Sequence, residues 1–402
     1  VNLMMYVLLV VAQVPTASSD EEPGGFLALA RSERFVRPGV LAADEHDMRT
    51  AARRAPVLLG DLQEQCALVV VADRLAESAP ETLIQLVAAF RSRIDLVGVV
   101  EDAEGRVRVE RLLSNRGFPA ESLRFIQTRT DSLWIRDFGP VFVESSTGGL
   151  SAFDFRYVRR SDAAVRQRDD DAGRPIAAHF PIPLTSDSSI LEGGNLVSNG
   201  RGVLLTTTLA LNANIVRGHE SATVVQTLRH RLGCRTIVVL ESLHGEPTGH
   251  VDMFACWTDP QTVVLASCEP AADPRNAGIL DRNAKLLAEV VIDGKPLQVR
   301  RCPMPGHEDG LWRTYTNCIF VNGLAAIPRY RPADRVSGDR ATALFRELMP
   351  GWSFVSIDAE PLAPLQGGLR CVSLPVPQAT ASPSTDPHSA VFPGSLPSSG
   401  GP

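Results

Sequence analysis

Cys371 follows the Gly367–Gly368 pair in 365-LQGGLRCVSLPVP-377. A thiol just after a glycine-rich loop can be approached closely by backbone N–H groups or by a substrate. To act as a nucleophile it needs a base or a cationic neighbour that favours the thiolate. His250 is the candidate, in 248-TGHVDMFACW-257. Read as a strand, that segment places His250 and Asp252 on one face and turns Val251 and Met253 to the core. An imidazole then lies beside a carboxylate, as acid–base chemistry requires.

Three more segments carry polar residues where strands should begin. In 190-ILEGGNLVSNGRGVLLTT-207, Glu192 precedes two glycines, and Asn199-Gly200 reads as a hairpin turn. In 131-DSLWIRDFGPVFV-143, Trp134 and Asp137 stand just ahead of a Phe-Gly-Pro turn, and in 313-RTYTNCIFVNG-323, Asn317 opens an apolar run. Each has a plain structural alternative: an Arg136–Asp137 pair beside a core tryptophan, a glutamate at a hairpin edge, a solvated His/Asp pair, an asparagine in a turn, a buried cysteine. Together they supply one thiol, one imidazole and three acids. A papain-like protease needs one orienting partner for its histidine, not three carboxylates. Several acids in one pocket suit a cation, and a planar guanidinium pairs best with carboxylates.

The elements that must position these residues alternate between strand and helix. Cys66–Asp73 is an apolar run of strand length, followed by a capping box at Ser78–Glu81 and helical spacing through Leu83, Ile84, Val87, Phe90 and Ile94. Leu96–Val100, Thr236–Leu240, Met253–Trp257, Thr262–Ala266, Leu297–Arg301, Asn317–Ile327, Ser353–Ile357 and Cys371–Leu374 read as strands. Val107–Leu113, Glu220–Leu232, Ile279–Val290 and Thr342–Leu348 read as helices. The class is α/β with many short strands and hairpins, without the regular alternation of a parallel barrel. No exact internal repeat is visible, and no glycine-rich phosphate-binding fingerprint occurs.

Composition is globular, with 44% hydrophobic and 21% charged residues among 402. A formal net charge of −6 argues against a nucleic-acid partner. The seven cysteines form no C-x-x-C pair, and most read as small core residues. Leu3–Ala12 is too short to span a membrane, which takes about 20 residues, so no stable insertion is expected. Followed by Ala17-Ser18-Ser19, it reads as the apolar core of a signal peptide, making 1–19 a leader or an N-terminal extension and leaving export and cytoplasm both open. The folded body is expected at about 34–375 and a disordered Pro/Ser/Gly-rich tail at 376–402.

In this order, DSLWIRDFGP, LEGGN, GHVD, YTN and GGLRC resemble the agmatine deiminase and bacterial-type peptidyl-arginine deiminase family, a branch of the guanidino-group-modifying enzymes, over about residues 120–375. The resemblance implies a five-bladed α/β propeller of the pentein type, with a central active site and no metal or organic cofactor. It implies Cys371 as nucleophile and His250 as acid–base group, with Asp137 and Asp252 gripping the guanidinium. Glu192 would orient His250 or share the grip, Trp134 would wall the substrate, and Asn317 matches a site position of the peptidyl-arginine deiminases. The implied reaction is hydrolysis of a guanidino group through a covalent thiouronium, releasing ammonia and a ureido product. The partner would be a small guanidino compound or an arginine-bearing peptide. An amidinotransferase-type relative or a silent binding protein of the same fold are the alternatives. Two features depart from the family: Arg370 stands where its agmatine deiminases carry a histidine, and 156-RYVRRSDAAVRQR-168 is rich in arginine. Arg156 and Arg159 would there bind a substrate carboxylate, unless the loop is simply a solvated basic one.

Overall fold

The computed structural model describes residues 35–42, 56–145, 149–158 and 166–379. Both the leader at 1–19 and the tail beyond 379 lie outside them. Among the described residues no helix is long and apolar enough to cross a membrane.

The strands form mixed sheets that repeat one local plan. A hairpin gives two antiparallel strands; helix follows, and the chain returns as a strand parallel to the second. Val141–Glu144 and Leu150–Arg156 make one such hairpin, and after the helix Gln167–His179 the strand Leu184–Ile190 pairs in parallel. The plan recurs with Val197–Ser198, Val203–Thr207 and Thr236–Leu240. It recurs again with Ala255–Asp259, Thr262–Ser267 and Gln298–Pro303, and with Ile319–Val321, Leu324–Arg329 and Ser353–Asp358. The fifth sheet joins segments far apart in the sequence: Leu374–Pro377 runs antiparallel to Gln65–Val71, which pairs in parallel with Asp95–Val100 and it with Arg124–Gln127. The repeat is structural rather than literal, because each unit needs only apolar strands and a packed helix, not particular side chains.

Local chemistry explains these elements and several departures from the sequence reading. Gln65–Val71 is almost wholly buried, the pattern of an inner strand covered on both faces. Leu374–Pro377 tolerates two prolines because it is an edge strand, and it carries the folded body two residues past 375. Ser78 caps nothing: it ends the helix Ala72–Ser78, and the next helix starts with Pro80 at its first position and no side-chain cap. Glu220–Leu232 divides into the α-helix Ser221–Gln226 and a π-turn Thr227–Arg231. The helix Gln167–His179 was hidden by its polar, Arg/Asp-rich sequence; it buries Ala172, Gly173, Ile176 and Ala177 and carries Asp169 and Asp170 in its first turn, where the helix dipole favours them.

One regularity matters for function. The segment immediately before the first strand of each hairpin is a tight turn or single helical turn: Ile135–Phe138, Gly193–Asn195, Val251–Met253, and the bends and turns at 315–317 and 369–372. These five places are the five motifs. His250 and Asp252 therefore do not alternate along a strand; the strand begins at Ala255, and a 3₁₀ turn sets their directions. Likewise Cys371 lies in a turn three residues ahead of its strand.

Candidate active site

Each motif is fastened from behind by buried polar groups. The fully buried Asp169 carboxylate accepts the N–H groups of Asp131 (2.8 Å) and Ser132 (3.1 Å) and the Ser132 hydroxyl (2.6 Å), fixing the entry to the Trp134 turn. Glu246 does the same for the histidine segment, accepting from Thr248 N–H and from Gly249 N–H at 2.6 Å. Thr248 Oγ1 in turn accepts the His250 N–H at 3.1 Å. Asn195 Oδ1 accepts the N–H of Val251 at 3.0 Å and so ties LEGGN to GHVD. Asn317 Oδ1 accepts the Arg370 N–H at 2.7 Å, and Arg136 N–H donates to the Cys371 carbonyl at 3.1 Å. Such second-layer bonds lock the working rotamers.

The side chains so held meet at a cavity of about 360 Å³. Trp134, Asp137, Glu192, His250 and Cys371 all line it. His250 Nε2 is 2.5 Å from Glu192 Oε2, while Nδ1, without a hydrogen bond, is 3.6 Å from Asp137 Oδ1. Asp137 Oδ1 accepts the Gly194 N–H at 3.0 Å. A β-carbon on Gly194 would stand 2.3 Å from His250 Nδ1, so only glycine permits this approach. Asp252 and Asn317 sit behind the thiol rather than on the cavity wall: Cys371 Sγ is 4.0 Å from Asp252 Oδ2 and 3.4 Å from Asn317 Nδ2.

Electrostatics follow from this crowding. Burial pushes the Asp137 carboxyl up; His250 pulls it back, Glu192 and Asp252 push again, and it settles at about 6. Burial alone would strip the His250 proton, but Asp137 and Glu192 overcome it and raise the imidazole to about 10. Burial also lifts the Cys371 thiol well above its ordinary value, with Asp252 and Asp137 adding to the effect and the Gly368 N–H and Asn317 amide offsetting part of it. At neutral pH the site therefore holds an imidazolium and a neutral thiol among carboxylates. A cation bound between those carboxylates would cancel the field that suppresses the thiolate.

One expected contributor lies elsewhere. Arg156 ends its strand with its side chain half exposed and paired to Asp170 at 2.7 Å, in a separate cleft beside Asp154 and Asp187. Arg159 lies outside the described residues. Conversely, Asp61, Asp169 and Glu246 support the site without having stood out in the sequence. Asn195 could have been found, since it belongs to LEGGN, whereas Asp61 sits in the weakly patterned GDLQEQ segment.

Gly367 sets the wall. A β-carbon there would lie 2.3 Å from the Trp134 ring, which is packed into the largest core cluster and cannot simply swing away. Gly367→Ala is expected to raise KM several-fold and to lower stability by about 1–3 kcal/mol through overpacking. Steady-state kinetics with a thermal unfolding curve check this; an unchanged KM would place the ring outside the substrate's path.

Comparison with known proteins shows what the chain is similar to. The family model of Porphyromonas-type peptidyl-arginine deiminases matches residues 68–377. The agmatine deiminase of Stutzerimonas stutzeri is 28% identical over 322 residues, covering 71% of this chain and 84% of that protein. A putative agmatine deiminase of Streptomyces coelicolor is 29% identical over 273 residues, 63% of this chain and 78% of its own. The crystal structure of a putative arginine deiminase from Porphyromonas gingivalis superposes with a TM-score of 0.71 at 26% identity, covering 81% of this chain and 99% of the other.

Proposed function

The chain belongs to the Porphyromonas-type peptidyl-arginine deiminase family, and from that premise we propose that it hydrolyses a guanidino group by covalent cysteine catalysis. The observation that carries the reading is the single cavity onto which Cys371, His250, Asp137, Glu192 and Trp134 all open. The substrate is a guanidino compound: agmatine, free arginine or the arginine of a peptide, the first being what the relatives' names point to.

In this mechanism the guanidinium enters along Trp134, with its nitrogens meeting Asp137 on the cavity wall and reaching past the thiol towards Asp252 behind it. Its positive charge offsets the carboxylate field, and the Cys371 thiol loses its proton to solvent. The thiolate attacks the guanidinium carbon and gives a neutral tetrahedral adduct. The His250 imidazolium, oriented by Glu192, donates its proton to the departing nitrogen, and ammonia leaves a cationic thiouronium. Neutral His250 then takes a proton from water, whose oxygen adds to the same carbon. Collapse expels the Cys371 sulfur, and loss of the remaining proton leaves the ureido product.

The finer architecture is part of the same proposal. Five repeats of hairpin, helix and parallel strand, each preceded by a motif turn that reaches the cavity region, support a five-bladed propeller with the site at its axis. Pairing of Leu374–Pro377 with Gln65–Val71, 303 residues earlier at its nearest, supports a single catalytic domain rather than two. The test is an assay for ammonia and ureido product with agmatine, arginine and arginine-ending peptides. Equal amounts of both products from at least one of them are expected. Failure with all three, in folded protein, would end the deiminase reading.

A further inference from the structure

Behind the thiol lies a chain of charges of which the deimination steps use only Asp252. Arg370, 3% exposed, directs Nε to Asp61 Oδ2 at 2.7 Å and Nη1 to Asp252 Oδ2 at 2.8 Å. Its other contacts are to the carbonyls of Gly193 (3.3 Å) and Leu196 (3.4 Å). Arg136 completes the chain, with Nη1 at 3.2 Å from Asp61 Oδ1 and Nε at 3.5 Å from the Arg370 carbonyl. Burial works against the charge on Arg370, yet Asp61 and Asp252 hold it above its usual value. Burial and the neighbouring Arg370 press Arg136 down to about 10.

The consequence falls on Asp252. That residue is wholly buried, its Oδ2 is taken by Arg370, and its Oδ1 has no hydrogen-bond partner. A buried carboxylate oxygen without a donor is costly, and it is tolerated where a donor arrives during function. Oδ2, the oxygen held by Arg370, is also the one 4.0 Å from the thiol, so the carboxylate abuts the reacting sulfur. We propose that Arg370, braced by Asp61, is a positioning residue that fixes one oxygen of Asp252 and leaves the other bare as a one-point acceptor for a substrate guanidinium N–H. The inference rests on the deimination reading of the cavity.

Lysine could not do this. Nε and Nη1 of one planar fork address two carboxylates from different segments, and a single ammonium has no such geometry. Nor does Arg370 act as an internal guanidinium that substrate must displace. Its head is tied to Asp61, Asp252, Gly193 and Leu196 together, so leaving would break every one of those bonds. The two roles differ in kinetics: a brace supports kcat, whereas a competitor raises KM.

The experiment compares the full-length protein with Arg370→Lys, Asp61→Asn and the double variant, by steady-state kinetics and thermal unfolding. Each single variant is expected to lower kcat about 10- to 100-fold, the cost of a small misplacement of a reacting group. KM should stay within about threefold, because the bare Oδ1 remains. The double variant should be little worse than the poorer single one, since both break one chain of contacts. Should Arg370→Lys fail to fold, Asp61→Asn decides, as Asp61 is partly exposed and lies off the cavity. Iodoacetamide labelling of Cys371 against pH gives a readout that needs no turnover. In Arg370→Lys the less neutralised Asp252 should move the labelling profile to higher pH. Parental kcat in folded variants, a lower KM with kcat held, or an unmoved labelling profile would each overturn the brace. A parent that turns over no guanidino compound sinks the deimination reading instead, and the labelling profile still decides the brace.

Discussion

Cys371→Ala is expected to remove deimination, with kcat falling by a factor on the order of 10⁵–10⁶, the scale seen when a nucleophile acting with its base as a unit is deleted. The remaining groups can hold a cation but cannot form the covalent adduct, and water lacks the thiol's fixed place opposite His250. The fold should survive. Cys371 sits in a turn, the polar contacts of its sulfur are to Asn317, Asp252 and the Gly368 N–H, and losing one buried sulfur removes about 1 kcal/mol of burial. The variant should therefore still bind a guanidino compound, because Trp134, Asp137 and Glu192 remain on the cavity wall. Calorimetric binding beside an absent ureido product is the expected pair of results. Retained turnover would show that another group attacks, and lost binding would show that the substitution disturbed the pocket itself.

The candidate site was more legible in the sequence than the elements that carry it, for a physical reason. Catalytic groups are unusual residues at unusual places: a Gly-Gly pair before a thiol, a carboxylate ahead of a Phe-Gly-Pro turn. Such anomalies survive in a single sequence. The turns that aim them do not announce themselves. The spacing of His250 and Asp252 fits a strand as well as the 3₁₀ turn that His250 precedes and Asp252 occupies, and only the bonds from Glu246, Thr248 and Asn195 decide between the two. Long-range partners are still less visible. Asp61 meets Arg370 across a sequence separation of 309 residues, and nothing local marks it. Arg370 stood out only as a departure from the family pattern; its part in holding Asp252 depends on packing that periodicity does not encode. The repeated sheet plan leaves no repeat in the residues for a related reason, since apolar strands of different composition fill equivalent positions, and five units were expected from the family resemblance alone.

Asp137→Asn tests the electrostatic core of the site. Asparagine keeps the shape and can still accept the Gly194 N–H, so the change is almost purely one of charge. Losing a charged hydrogen bond to the guanidinium should lower kcat/KM by roughly 10- to 100-fold. The loss should be larger where His250 must also act, and the pH profile shows why. In the parent, the acid limb of kcat/KM should lie near 6, where the raised Asp137 carboxyl gains its proton and stops attracting the cation. Rising pH restores that carboxylate. The alkaline limb of kcat belongs to His250, whose imidazolium must protonate the leaving nitrogen and is held up to about 10 chiefly by Asp137 against the effect of burial. Removing the Asp137 charge deletes the first titration and withdraws the main support of the second. Both limbs should consequently move to lower pH, the acid one towards the ordinary carboxylate range and the alkaline one towards neutrality. A simple loss of affinity would lower the whole curve without shifting it. A profile of parental shape in Asp137→Asn would thus separate Asp137 from His250, and the pairing of carboxylate and imidazolium across 3.6 Å would have no part in turnover.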